Sequence, residues 1–193
     1  MKAETKPGRV RIIGELYRRT PIPVIAAPGL RPTPDRVRET VFNWLEHLMG
    51  TLAGAAVLDL FAGSGALGFE AASRGAGRVV MVDSHARAVE ALQALQRRLG
   101  ASAVEVLQAD WRSVIARLAP ASFDLVFLDP PFGSDLLPQA LTAVRRILRP
   151  EGLIYVESGQ PHGAGALPGA GLELVRSGKA GVVQFQLLRA PAQ

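Results

Sequence analysis

From residue 56 to residue 157 this chain alternates short apolar runs with longer amphipathic stretches, and few folds satisfy that pattern. The runs Ala56–Leu60, Arg78–Val82, Val104–Gln108, Phe123–Leu128 and Leu153–Glu157 are too short for buried helices and read as strands. Between them, Ala66–Arg74, Ala86–Leu99, Trp111–Leu118 and Asp135–Leu148 carry apolar residues at helical spacing. Parallel neighbours need a crossover, and helices must cover both faces. The βαβαβαβαβ order therefore predicts an α/β fold with a doubly wound, mostly parallel sheet. After a glycine-rich stretch at 158–171, Leu172–Arg176 and Val182–Leu188 read as strands joined through Ser177–Gly181, an antiparallel C-terminal hairpin that brings the sheet to seven strands.

Upstream, Arg9–Gly14 alternates basic and apolar residues, and Ile22–Ile25 follows with prolines that confine it to an edge. A small N-terminal β-hairpin is expected there. Thr33 reads as a helix N-cap with Pro34 at the first helical position. Val37, Val41, Trp44, Leu45 and Leu48 continue that helix, and Gly50 stops it. The expected organisation is a basic arm at 1–32 and a larger domain at 33–193.

Charge singles out the same arm. Residues 1–40 hold nine Lys/Arg against four Asp/Glu, an excess equal to the +5 of the whole chain. A balanced globule with a basic end points to a polyanionic partner. Arg9, Arg11, Arg18, Arg31 and Arg36 are the candidate phosphate contacts, with Arg31 foremost. Arg36 and Arg38 lie two apart on a helix and point different ways, so one is expected to pair with Asp35 or Glu39 instead. There are no cysteines and only three histidines, at 47, 85 and 162, which excludes disulfides and thiol catalysis and argues against a metal. No signal-peptide pattern or membrane-length apolar run appears, so a cytoplasmic protein is expected.

In an open parallel sheet, ligands bind outside the carboxyl ends of the strands. Two segments fall there. The first is Asp59-Leu60-Phe61-Ala62-Gly63-Ser64-Gly65-Ala66-Leu67-Gly68, whose glycines and following helix suit a nucleotide-like ligand. Asp83, twenty residues after Gly63, is placed to accept from ribose hydroxyls. A dinucleotide dehydrogenase is the rival reading. Asp59 counts against it, because a carboxylate suits a cationic ligand and opposes a pyrophosphate. The chain also lacks a Tyr-x-x-x-Lys pair, and the terminal hairpin departs from a wholly parallel sheet.

The second segment is Asp129-Pro130-Pro131-Phe132. Two prolines make a stiff turn with outward carbonyls. A carboxylate, a fixed carbonyl and an aromatic ring suit a flat ring bearing an exocyclic amine.

These segments resemble the class I S-adenosylmethionine (SAM) methyltransferases, and Asp129–Phe132 matches the motif of those that methylate exocyclic or amide nitrogens. Gly29–Leu45, Leu58–Gly68 and Leu153–Glu157 narrow the resemblance to the RsmD family, over about residues 9–188. The resemblance implies a Rossmann-like fold and transfer of methyl to N2 of the guanine conventionally numbered 966 in 16S ribosomal RNA. It implies SAM bound by Asp59, Ala62, Gly63, Gly65, Asp83, Asp110 and Asp129. Asp129, Pro130 and Phe132 would be catalytic, and Pro131 and Phe132 would meet the substrate base. Asp110 also reads as the N-cap of the helix at Trp111. The family's N-terminal Gly-Gly pair is reduced here to Gly14. A monomer acting on an assembled or assembling small ribosomal subunit is expected. The alternatives are an amino-methyltransferase of DNA adenine or of a protein glutamine amide, and a non-catalytic RNA-binding assembly factor.

Overall fold

Seven strands pair into one sheet whose central strands carry apolar runs buried on both faces. The computed structural model describes residues 10–23, 33–131, 135–159 and 171–192. Two short antiparallel strands, β1 (Val10–Arg11) and β2 (Pro21–Ile22), come first and frame a 3-10 turn at Glu15–Tyr17. The chain then runs α1 (Asp35–Met49), β3 (Ala56–Asp59), α2 (Ala66–Ser73), β4 (Arg78–Asp83), α3 (Ala86–Leu99), β5 (Val104–Gln108), α4 (Trp111–Arg117), β6 (Phe123–Leu128) and α5 (Leu136–Val144). It ends with β7 (Leu148–Ser158), β8 (Glu173–Ala180) and β9 (Val183–Arg189).

The sheet order is β5-β4-β3-β6-β7-β9-β8. Strands β3 to β7 are parallel, and β9 enters antiparallel between β7 and β8. The order reverses direction between β3 and β6, the switch point where such sheets take ligands.

Two apolar layers cover the sheet. One joins α1, α2, α3 and the N-terminal hairpin to Val57, Met81, Phe127 and Tyr155. The other joins α4 and α5 to Leu58, Val80, Val126 and Ile154 on the opposite face. Alternate residues of each strand thus feed alternate layers, as a central strand requires. No helix among the described residues is long and apolar enough to cross a membrane.

Two local expectations are corrected. Thr33 does not cap α1; Pro34 occupies the cap position without a side-chain bond, and the Thr33 hydroxyl donates instead to Glu157. A buried carboxylate outcompetes the backbone amides of a solvated helix end. Ser177–Ala180 is strand rather than loop, and the hairpin turns at Gly181-Val182. Gly178 pairs with Phe185, and a Cβ there would come within 2.4 Å of the Phe185 ring. The glycine therefore lets an aromatic side chain lie across the strand, which keeps the pairing going.

Candidate active site

The register gathers three acids. Asp59 ends β3, Asp129 follows β6 directly, and Glu157 lies near the end of β7. Asp59 pairs with Phe127, and Phe127 with Tyr155, so these three side chains share a face. Asp129 and Glu157 lie two residues further along and return to it. Three carboxylates therefore line the carboxyl edge of three adjacent strands, at the switch point, on the side that carries α1, α2 and α3.

Their environment raises their proton affinity. Asp59 is only 2% exposed and accepts a 3.0 Å bond from the Gly68 amide. Burial pushes its pKa from 3.8 up to about 7, the Gly68 bond opposes the rise, and the charge of Asp83 adds to it. Burial, then the negative charges of Glu157 and Asp59, hold the Asp129 carboxyl well above the usual carboxylate range. Burial also raises Glu157, while hydrogen bonds from Thr33 and Tyr155 pull it back. Both hydroxyls donate to the same oxygen, Oε1, at 2.6 Å. Perturbed acids of this kind concentrate at functional sites.

The loop after β3 is braced from the sheet. The Leu60 amide donates to the Phe127 carbonyl, the Ala62 amide to that of Val82, and the Gly65 amide to that of Ala62. Gly65 has φ +79°, and a Cβ on it would lie 2.5 Å from Leu92 and 2.7 Å from Met81. Its glycine thus answers to a left-handed backbone and to packing against β4 and α3. The Asp83 carboxylate receives the Gly63 amide at 2.9 Å on one oxygen and the His85 amide at 2.8 Å on the other. Each oxygen keeps a second lone pair for a ligand. Asp110 caps α4 through the Arg112 amide at 2.9 Å and is more than half exposed. Phe61 and Trp111 lie tilted with ring centroids 6.1 Å apart beside it.

After Asp129, Pro130 is buried and Pro131 is exposed. Phe132, Arg9 and Arg31 lie outside the described residues. Arg11, Arg18 and Arg36 are exposed. Arg38 is fully buried and bonds to Asp35 at 2.6 Å and to the Arg11 carbonyl at 2.7 Å, so it is the structural partner expected of this pair. The arm is fixed to α2: the Ile13 and Gly14 amides each donate to Glu70 at 2.7 Å, and the Tyr17 amide donates to Ser73. Tyr155 and Glu157 received no individual role from the sequence, and Thr33 only that of a helix cap. Their one signal was a Tyr-x-Glu alternation that puts an acid at the buried end of an apolar strand.

This strand order and acidic switch point define a class I methyltransferase fold. The solved structure of a "putative methyltransferase yhhF" from Escherichia coli superposes with a TM-score of 0.80 at 38% identity, covering 96% of this chain and all of that one. Residues 10–189 match a family profile described as "Conserved hypothetical protein 95". "Ribosomal RNA small subunit methyltransferase D" of Escherichia coli is 39% identical over 96% of this chain and 92% of its own length. The protein of that name from Haemophilus influenzae is 41% identical over 78% and 79%. The chain belongs to this methyltransferase family, RsmD.

Proposed function

We propose that this protein transfers a methyl group from SAM to the exocyclic N2 of guanine 966 in the 16S RNA of the small ribosomal subunit. The observation that carries this reading is the trio Asp59, Asp129 and Glu157 on one face at the switch point. Support comes also from the relatives, whose names describe small-subunit ribosomal RNA methylation.

The residues fit SAM. Three partly or fully buried carboxylates with raised proton affinity, Asp129 through the charges of the other two, call for a cation, and no cationic side chain among the described residues pairs with Asp59 or Asp129. SAM supplies an electrophilic methyl on a positively charged sulfur. Asp59 holds the ammonium of its amino-acid part, Ala62, Gly63 and Gly65 line it, Asp83 takes the ribose hydroxyls, and Asp110 takes the adenine amine.

Guanine N2 is a weak nucleophile because its lone pair is delocalised into the ring. Asp129 and the Pro130 carbonyl accept its two N–H bonds, which draws the nitrogen toward sp³ geometry and turns the lone pair to the methyl. Proline has no amide hydrogen, so this turn presents an acceptor without a competing donor. Fixing two reactants in line supplies about 7–11 kcal/mol in favourable cases. Phe132 stacks on the base, which has left its own stack to be reached, and Pro131 lies beside it. Arg9, Arg11, Arg18, Arg31 and Arg36 contact phosphates and position the RNA without reading its sequence. The bonds to Glu70 and Ser73 tie residues 13–17 of this arm to the helix after the cofactor loop. The protein acts as a cytoplasmic monomer on the assembled or assembling subunit.

The test is methyl transfer from labelled SAM to unmethylated small subunits, naked 16S RNA and DNA in parallel, with the product nucleoside identified by mass spectrometry. N2-methylguanosine at a single site is expected. Label in DNA or ribosomal protein overturns the substrate, and absence of SAM binding overturns the enzyme.

A further inference from the structure

Glu157 is out of place for a purely structural residue. It is a carboxylate of 3% exposure on the central strand β7, and no Lys or Arg among the described residues pairs with it. Tyr155, from the same strand, and Thr33, from the segment leading into α1, both donate to its Oε1 and hold it in one geometry. Its second oxygen takes no part in those two bonds. The parallel pairing of Leu128 with Val156 makes Asp129 and Glu157 the next neighbours across β6 and β7, on the same face.

We propose that Glu157 is a positioning residue that works through Asp129 as the second half of a carboxylate pair. Asp129 touches the target amine and receives its proton; Glu157, pinned by Tyr155 and Thr33, orients Asp129 and sets how tightly it holds that proton. This rests on the amine-methylating function proposed above. In the step, the amine nitrogen forms a bond to the methyl carbon and the carbon–sulfur bond breaks, its electron pair staying on sulfur. One N–H proton then passes to Asp129. A lone carboxylate is a poor acceptor at neutral pH, because protonation is unfavourable well above its pKa. A second negative charge alongside corrects that, as like charges sharing a site raise one of the pair. Besides Glu157, Asp59 on β3 and Tyr155 on β7 face the same group. The neutral Tyr155 hydroxyl favours ionised Glu157, and so keeps the charge of the pair on the side away from the incoming proton.

Glu157→Gln keeps an oxygen for Thr33 and Tyr155 to bond, removes the charge and puts an amide NH2 in place of the second oxygen. The experiment measures SAM affinity by calorimetry and single-turnover methyl transfer to unmethylated subunits across pH 5–9, for wild type, E157Q, Tyr155→Phe and Thr33→Val. For E157Q, the plateau rate is expected to fall about 10- to 100-fold. The acid limb of the profile should move about one pH unit lower, as expected on removing a neighbouring like charge. SAM affinity should stay within about threefold. Y155F and T33V should move the limb the same way by less. An unmoved acid limb and unchanged plateau in E157Q overturn the proposal. So does loss of SAM binding in parallel with transfer, since Glu157 would then hold the cofactor site rather than act through Asp129. Should E157Q fail to fold, Y155F and T33V with wild-type affinity and unshifted limbs overturn it equally. Wild-type protein that methylates no exocyclic amine refutes the proposed function itself, a result distinct from all of these.

Discussion

The acids on one side of this sheet fall into two groups with opposite surroundings. Glu70 on α2 is completely buried, accepts two backbone amides from the arm, bonds Arg74 Nε at 3.0 Å and lies 3.8 Å from Arg38 Nη1. Its charge is met from four directions. Asp59, Asp129 and Glu157, at the strand ends, have two hydroxyls, one backbone amide and one another. A compensated acid fixes structure, since its bonds are already made. Uncompensated acids await a ligand, and their proton affinities are raised until one arrives.

The comparison can be broken at either end. The largest effect is expected from Asp129→Ala: methyl transfer falls by at least about 100-fold, the range for a lost proton acceptor, while SAM affinity is largely retained. Single-turnover rates and calorimetry measure the two, and equal losses in both would contradict the assignment. Glu70→Ala should cost stability instead, about 3–5 kcal/mol, because it leaves the buried Arg38 with Asp35 as its one carboxylate partner and orphans the arm amides. Urea unfolding with and without SAM reads this.

Asp59→Asn sharpens the contrast, since it should stabilise the ligand-free protein while weakening SAM binding. The folded pKa of Asp59 lies above the unfolded value, at about 7 against 3.8. Between those two values the folded state keeps a proton that the unfolded chain has lost, so its stability contribution is complete below about pH 4 and is lost as pH rises to about 7. The gain in D59N should therefore be at most about 4 kcal/mol at pH 8 and vanish near pH 4, in urea unfolding at each pH. The smallest effect belongs to an exposed arginine of the arm. Arg18→Ala should leave stability within about 0.5 kcal/mol. It should lower the slope of log RNA affinity against log salt by about one, in filter binding.

The readable parts of the sequence were those governed by local periodicity. The strand and helix pattern from Ala56 to Glu157 needs only the alternation of apolar runs and crossovers, and the observed elements agree with it to within a few residues except around Leu148, where β7 starts earlier. The cap at Asp110 needs only a short side chain before a helix, and it is there. Thr33 carried the same local signal and was misread, because the competitor for its hydroxyl comes from 124 residues downstream. Ser177–Ala180 looked like a loop for the same reason: the Phe185 ring that lies over Gly178 is invisible until the strands pair.

What the sequence alone determined, then, is the doubly wound sheet, the acids at its strand ends and the basic arm, because side-chain period, turn residues and charge act over a few residues. Only the tertiary structure decided which acids meet. Placing β6 between β3 and β7, in a register that puts Asp59, Asp129 and Glu157 on one face, depends on strand order. So does sending Arg38 and Glu70 inward together. Strand order is chosen by the burial of the whole sheet between its two helical layers, a balance to which every strand contributes and which no single segment carries.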